Sequence, residues 1–207
     1  MSYYGKIAFG ETAKALQEEA GSRAVYARLE RENIKEGIST YEASFIAQRD
    51  SFYMASITES GFPYIQHRGG PKGFLKVLDA KRLGFIDFGG NKQYVSVGNF
   101  ESNPNVSLFL MDYAHKIRLK IFARAEVLEL EGNEELYEAL DLKAYKFRAE
   151  RMIIFHVESF DWNCPQHITP RYTMEEVETI MKPQQEYIAQ LETEIERLKA
   201  QINTANA

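Results

Sequence analysis

Residues 117–130 read IRLKIFARAEVLEL, and this alternation limits the fold more than any other stretch of the chain. Ile117, Leu119, Ile121 and Ala123 fall on one side of an extended backbone. Arg118, Lys120 and Arg124 fall on the other, with Phe122 interrupting them. A period of two with one apolar side describes a strand covered on one face. NVSLFLMD (105–112) supplies an antiparallel partner across a short turn. SFYMASIT (51–58), PYIQHR (63–68), FLKVLD (74–79), RLGFIDF (82–88) and RMIIFHVES (151–159) read as further short strands between turn signals. Such a series predicts a small antiparallel barrel, flanked or plugged by helices.

The helices are legible by composition. Residues 11–50 are rich in Ala, Leu, Glu and Arg, and Ser39 or Thr40 offers an N-cap ahead of Glu42. KQYVSVGNFES (92–102) predicts a short helix, with Asn91 as its N-cap, and NEELYEALDLKAY (133–145) another. TMEE at 173–176 is a capping box. Beyond it Val177, Met181, Gln184, Ile188, Leu191, Ile195, Leu198 and Ile202 repeat at alternating spacings of four and three, with only Gln184 polar. Pro183 interrupts the seam, and a break or restart of the helix is expected there. The predicted organisation is mainly β with flanking helices (α+β): a helical segment over 1–50, a barrel over 51–172, and a heptad-patterned helix over 173–207.

The net charge of −5 argues against broad binding to nucleic acid or an anionic membrane. Basic clusters in such a chain are better suited to a small anion. The single cysteine, Cys164, fits a reducing compartment. No apolar run approaches the ~20 residues of a membrane span, and no secretory leader pattern opens the chain. A cytoplasmic protein is expected.

Three basic clusters carry the chemistry. In PYIQHRGGPKGF (63–74) a strand delivers Arg68 to a glycine-rich bend that contains Lys72. Glycines let backbone N–H groups approach a phosphate, which needs several charge-assisted donors; a plain solvated turn has the same composition. GGNKQ (89–93) adds Lys92 at a second strand end. Arg118 and Lys120 share one face of a strand. Taken singly, each is an ordinary polar surface. Together they suggest a bound phosphate ester with a polar ring system beside it.

The segments Pro63–Gly70 (Pro-x-x-x-x-Arg-Gly-Gly), Gly-Asn-Lys at 90–92 and Asn-Pro-x-Val-Ser-Leu at 103–108 resemble the pyridoxamine 5'-phosphate oxidase-like flavoproteins, over roughly residues 45–172. The resemblance implies a split β-barrel that binds FMN at a homodimer interface. Gln66, His67 and Arg68 would hold the phosphate or line the isoalloxazine, with Lys72 and Asp87 beside them. Asn91, Lys92 and Gln93 match the phosphate-gripping turn. Arg118, with Lys120 next to it, matches the position at the flavin pyrimidine edge, and Trp162 the aromatic near the partner's flavin. A cation at that edge stabilises the anionic reduced flavin. The family's C-terminal Arg-Leu-x-x-x-Arg substrate region is replaced here by NCPQHITPRYT, with His167 and Arg171 near but out of register. Pyridoxamine phosphate is therefore not implied as substrate.

Three histidines have competing readings. Cys164 and His167 make half a zinc site with nothing nearby to complete it, and no metal is expected. His156 reads as a satisfied core histidine. His67 reads as a general acid or as a stacking group, and Arg171 as a second candidate for orienting substrate. Two functions follow. One is an FMN-dependent oxidoreductase acting on a small organic molecule. The other is a non-catalytic flavin- or haem-binding assembly protein that recruits a partner through its C-terminal helix. That seam equally suits self-association or docking along the barrel.

Overall fold

The alternating stretches do form strands, and their ladders join into one antiparallel sheet. The structure is a computed structural model and describes residues 4–32, 36–162 and 165–205. Helices α1 (Tyr4–Ala8), α2 (Glu11–Glu19), α3 (Arg23–Glu32) and α4 (Thr40–Ala47) precede strands β1 (Ser51–Ile57), β2 (Pro63–Gly69), β3 (Lys76–Asp79) and β4 (Arg82–Phe88). Helix α5 (Val95–Ser102) leads to β5 (Asn105–Asp112) and β6 (Ile117–Leu128). Helix α6 (Glu134–Leu140), strand β7 (Ala149–Trp162) and helix α7 (Met174–Ala205) complete the chain. The strand order is β2-β1-β5-β6-β7-β4-β3. The chain divides into two units. One holds residues up to Asp112 together with Lys116–Gln166; the other holds Tyr113–His115 and the residues from His167 onward.

Within the first unit β2 and β3 stand at opposite ends of the strand order and share no ladder among the described residues. Yet Arg68 on β2 reaches Asp87 on β4 at 2.7 Å. The sheet therefore curls until its ends approach, and side chains rather than backbone hydrogen bonds span the gap. Inward positions build the core: Phe52 and Met54, Leu83 and Phe85, Leu108 and Leu110, Leu119 and Ile121, and Ile153 and Phe155, all essentially buried. Phe52, Phe74, Phe85 and Phe155 form an aromatic cluster inside it. Strands β4 and β7 are covered on both faces, because Ile86, Met152 and Ile154 pack with Leu140 of α6 in a second, smaller core. This accounts for the near-continuous apolar run of β4.

The glycine-rich bend after β2 is a packing device. A Cβ at Gly70 would sit 2.7 Å from the Phe74 ring, and one at Gly73, where φ is +78°, 3.1 Å from the Ala47 carbonyl oxygen. The N–H groups of Gly70, Gly73 and Phe74 donate to the carbonyls of Asp50, Arg49 and Pro71. The expectation that they hold an anion is corrected, because these donors are committed within the chain.

Four further expectations change. Helix α5 begins at Val95, not at Lys92, because Lys92 and Tyr94 have φ of 61° and 52°, in the left-handed region that ends a right-handed helix. Asn91 accordingly caps a turn, its side-chain oxygen accepting from the Gln93 N–H at 3.2 Å. His156 is not in the core. It lies on the outer side of β7, half-exposed, 2.7 Å from Glu126 on β6. Pro183 does not break α7, which runs through it. Two turns of helix precede Pro183, started by the Thr173–Glu176 capping box, and helix-favouring Gln, Glu, Ala and Leu follow it. No helix among the described residues is long and apolar enough to cross a membrane.

Helix α4 is fixed to the end of the barrel by one carboxylate. Ser39 and Glu42 form a complete capping box. Glu42 also accepts from the Trp162 indole N–H at 2.9 Å, and the Trp162 ring packs on Tyr41 and Phe45. Burial pushes the Glu42 carboxyl up, but bonds from the Ser39 hydroxyl, the Trp162 indole and the Ser39 backbone prevail and hold it below the usual carboxylate range. The folded value lies below the unfolded one. The stabilisation is therefore present at neutral pH and lost as pH falls through the depressed folded value. Glu42→Gln should cost about 1–2 kcal/mol at pH 7. In urea titrations the difference from the parent should shrink as the medium is acidified; a constant difference would contradict this account.

Candidate functional site

Three inward-facing residues meet where the sheet gapes. On β2 the period of two turns Tyr64, Gln66 and Arg68 inward and Ile65 and His67 outward. Asp87 follows Phe85 on the inner side of β4, and Arg151 pairs with it from β7. Arg68 Nη1 donates to Asp87 Oδ1 at 2.7 Å, and Arg151 Nε lies 3.7 Å from Asp87 Oδ2. All three side chains are largely buried. Burial raises the Asp87 carboxyl above its usual range, while Arg68 and Arg151 pull it back. The Nε atoms of Arg68 and Arg151 are buried without an acceptor among the described residues. Two guanidiniums thus converge on one carboxylate and keep donor capacity in reserve.

A small cleft, about 80 Å³ in cavity volume, opens beside this cluster, lined by Gln66, Arg68, Asp87, Asn91, Lys92 and Gln93 with Tyr94, the first turn of α5 and Glu150. Two non-glycine residues in the left-handed region, Lys92 and Tyr94, shape the loop on one side, and such strain concentrates at functional sites. Gln66 is fixed by Ser96, whose hydroxyl donates to its side-chain oxygen at 2.6 Å. The Tyr94 ring packs under the Arg151 guanidinium at 4.7 Å. A register shift between Asp87 and Phe88 leaves Glu150 as an extra residue on β7, facing the cleft. Arg148 and Arg151 both donate to it, and the Arg148 bond holds its carboxyl below the usual range.

Residues 41–158 match the family model for pyridoxamine 5'-phosphate oxidase. The chain belongs to the pyridoxamine 5'-phosphate oxidase family. The curled, open-edged sheet with its flanking helices is the α+β split barrel of that family, followed here by the long C-terminal helix. Similar solved structures include HupZ from Group A Streptococcus, at 18% identity and a TM-score of 0.49, covering 65% of this chain and 99% of the other. An FMN-binding protein from Syntrophomonas wolfei has 14% identity and a TM-score of 0.47, covering 72% and 97%. A putative pyridoxamine 5'-phosphate oxidase from Lactobacillus delbrueckii has 17% identity and a TM-score of 0.47, covering 61% and 95%. No curated protein sequence matches the chain.

The family's split barrel gathers Gln66, Arg68, Asp87, Asn91, Lys92 and Gln93 around one cleft and leaves the other sequence candidates elsewhere. His67 faces outward, edge-on to Tyr53 at 5.5 Å. Lys72 sits in the packing bend and does not line the cleft. Arg118 lies on the outer face of β6, 5.7 Å from the Phe109 ring centre. Lys120 pairs with Asp161 at 2.7 Å and caps the Tyr4 ring. Trp162 serves α4, as described. Arg171 belongs to the second unit and stands over the Tyr113 ring at 4.7 Å. The Cys164–His167 pair falls partly outside the described residues. Sequence reasoning missed Ser96, Tyr94, Glu150 and Arg151. Of these, Arg151 alone was within a stretch read as a strand, at its charged start ahead of the apolar run 152–155.

Asp87 is the charge on which the cluster turns. Asp87→Asn should destabilise the fold by roughly 3 kcal/mol, the scale of removing one partner from a buried ion cluster. Lys92→Ala should stay within about 0.5 kcal/mol of the parent. Chemical denaturation of the two variants distinguishes them, and equal stabilities would mean that the cluster does not hold the gap.

Proposed function

We propose that the protein is an FMN-binding oxidoreductase acting on a small organic substrate, with the flavin seated between two copies of the chain. The observation that carries this reading is the cleft itself. It unites the buried Arg68 guanidinium, the Lys92 ammonium and the side-chain amides of Gln66, Asn91 and Gln93 around one small cavity. Phosphate carries about two negative charges near neutral pH, and Lys92, Arg68 and the N–H groups at the start of α5 are matched to them. FMN, when bound, supplies hydride chemistry at its N5.

The chain's own residues bind and orient. Lys92, Asn91 and Gln93 would grip the phosphate from the strained loop, and Arg68 from β2. Gln66, held by Ser96, would present its amide beside them. Asp87 keeps Arg68 and Arg151 in place. A cavity of about 80 Å³ is far below the roughly 300–1,000 Å³ of sites that hold a whole small molecule, so the rest of the flavin would lie against a second copy. An outward row on the sheet supports such a contact: His67, Tyr53, Phe109 and Lys120 are direct cross-strand neighbours, and Ile65 and Phe62 beside them are exposed. Arg118 shares that face. We assign it the flavin pyrimidine edge and His67 the orientation of substrate, both across the subunit contact.

Flavin titration tests the site. Arg68→Ala and Lys92→Ala should each weaken FMN by roughly 1.5–3 kcal/mol, the scale of a hydrogen bond to a charged group. Lys92 lies outside the buried cluster, so its variant separates lost affinity from lost fold. Unchanged affinity in both variants would show that the phosphate sits elsewhere. Arg118→Gln should lower the flavin reduction potential with the fold intact, as read by spectroelectrochemical titration. Tight FMN binding with no turnover on a broad panel of nicotinamides and small oxidisable substrates would return the protein to the non-catalytic reading.

A further inference from the structure

Helix α7 leaves an apolar seam uncovered from Met181 onward. Met181, Ile188, Leu191, Ile195, Leu198 and Ile202 are all exposed, between 43% and 59%. We infer that α7 pairs with α7 of a second copy of this chain as a parallel, in-register, two-stranded coiled coil.

The identity of the seam residues selects this arrangement. With Ile188 at heptad position a, the a positions are Met181, Ile188, Ile195 and Ile202, and the d positions are Val177, Gln184, Leu191 and Leu198. β-Branched residues at a with Leu at d favour two parallel strands. Gln184 fixes direction and register. In a parallel, in-register pair each Gln184 meets its twin, and the two amides satisfy each other. An antiparallel pair sets a against d, so Gln184 would face Met or Ile and lose its partner in an apolar layer. A slip of one heptad would set it against Leu191 or Val177, with the same penalty. Pro183 falls at c, on the outer side, where its ring stays clear of the contact.

The flanking charges agree. In a parallel pair, position g of one helix faces e of the next heptad on the other. Glu194 at g then faces Lys199 at e, and symmetry makes the pair twice. In the single chain these two side chains are held by Arg197 and Glu196 on their own helix, and both of those partners lie at outer positions, c and b. An isolated helix is marginal in water. Burying the seam against a copy of itself gives the exposed length of α7 an apolar partner. The pairing requires no flavin.

Cross-linking of the full-length chain tests it, in a Cys164→Ser background within a glutathione redox buffer. Leu198→Cys, at d, should form a covalent dimer, and Ala200→Cys, at the outer f position, should not. Glu194→Lys should lower the effective concentration for the Leu198→Cys cross-link roughly threefold or more, the scale of two exposed ion pairs. Adding Lys199→Glu should restore it. The inference is overturned if Leu198→Cys gives no dimer, if Ala200→Cys cross-links equally, or if the charge reversal is not rescued. Each readout is independent of FMN, so a failed flavin titration leaves the result standing, and the converse holds.

Discussion

A carboxylate between two guanidiniums holds the barrel where its sheet does not close. Backbone ladders run from β2 round to β3 and stop there, and Asp87 bridges the gap to Arg68 while facing Arg151. Buried ion pairs are poor sources of net stability, because desolvation cancels much of the attraction. Their use is geometric. Here the cluster sets the separation of β2 from β4, and that separation forms the cleft. A hydrophobic seal would close the gap as firmly but would remove the donors. An acidic chain can in this way bring Arg68 and Lys92 to one cleft without a basic surface, with Asp87 and Glu150 as their counter-charges.

The parts of the fold that depend on local pattern were legible. Alternation identified β5 and β6 because each has one buried face, and β1 and β2 were bounded by turn residues at Gly61 and Gly69. The box at Thr173 was readable because capping is a contact three residues long, and the cap ahead of Glu42 was narrowed to Ser39 or Thr40, of which the structure uses Ser39. The candidate site was half legible by the same logic. Arg68, Asn91 and Lys92 lie at a strand end and in a loop where polar groups stand out, and the family pattern brought in Gln66, Asp87 and Gln93.

The remaining residues depended on which way a side chain points and on what crosses the barrel. His67 and Arg68 are adjacent in sequence but lie on opposite faces, so one row of letters mixed two surfaces. The glycines of 69–73 looked like an anion cradle. Their composition is the same for a bend squeezed against Phe74 and Ala47, and only the Asp50 and Arg49 carbonyls decide between the two. Lys120 looked free in sequence, whereas Asp161 and Tyr4 occupy it from distant parts of the chain. Ser96 and Glu150 gave no signal at all. One acts by fixing Gln66 and the other because a register shift in β7 turns it toward the cleft.

The outer sheet face and the α7 seam each expose apolar side chains, and a second copy of the chain is the partner proposed for each. A self-complementary contact has a two-fold axis. When a chain carries two such contacts, the assembly closes as a dimer only if one axis serves both; separate axes would propagate an open array. A parallel coil satisfies this requirement more simply than an antiparallel one, because it brings both Thr173 residues to the same end.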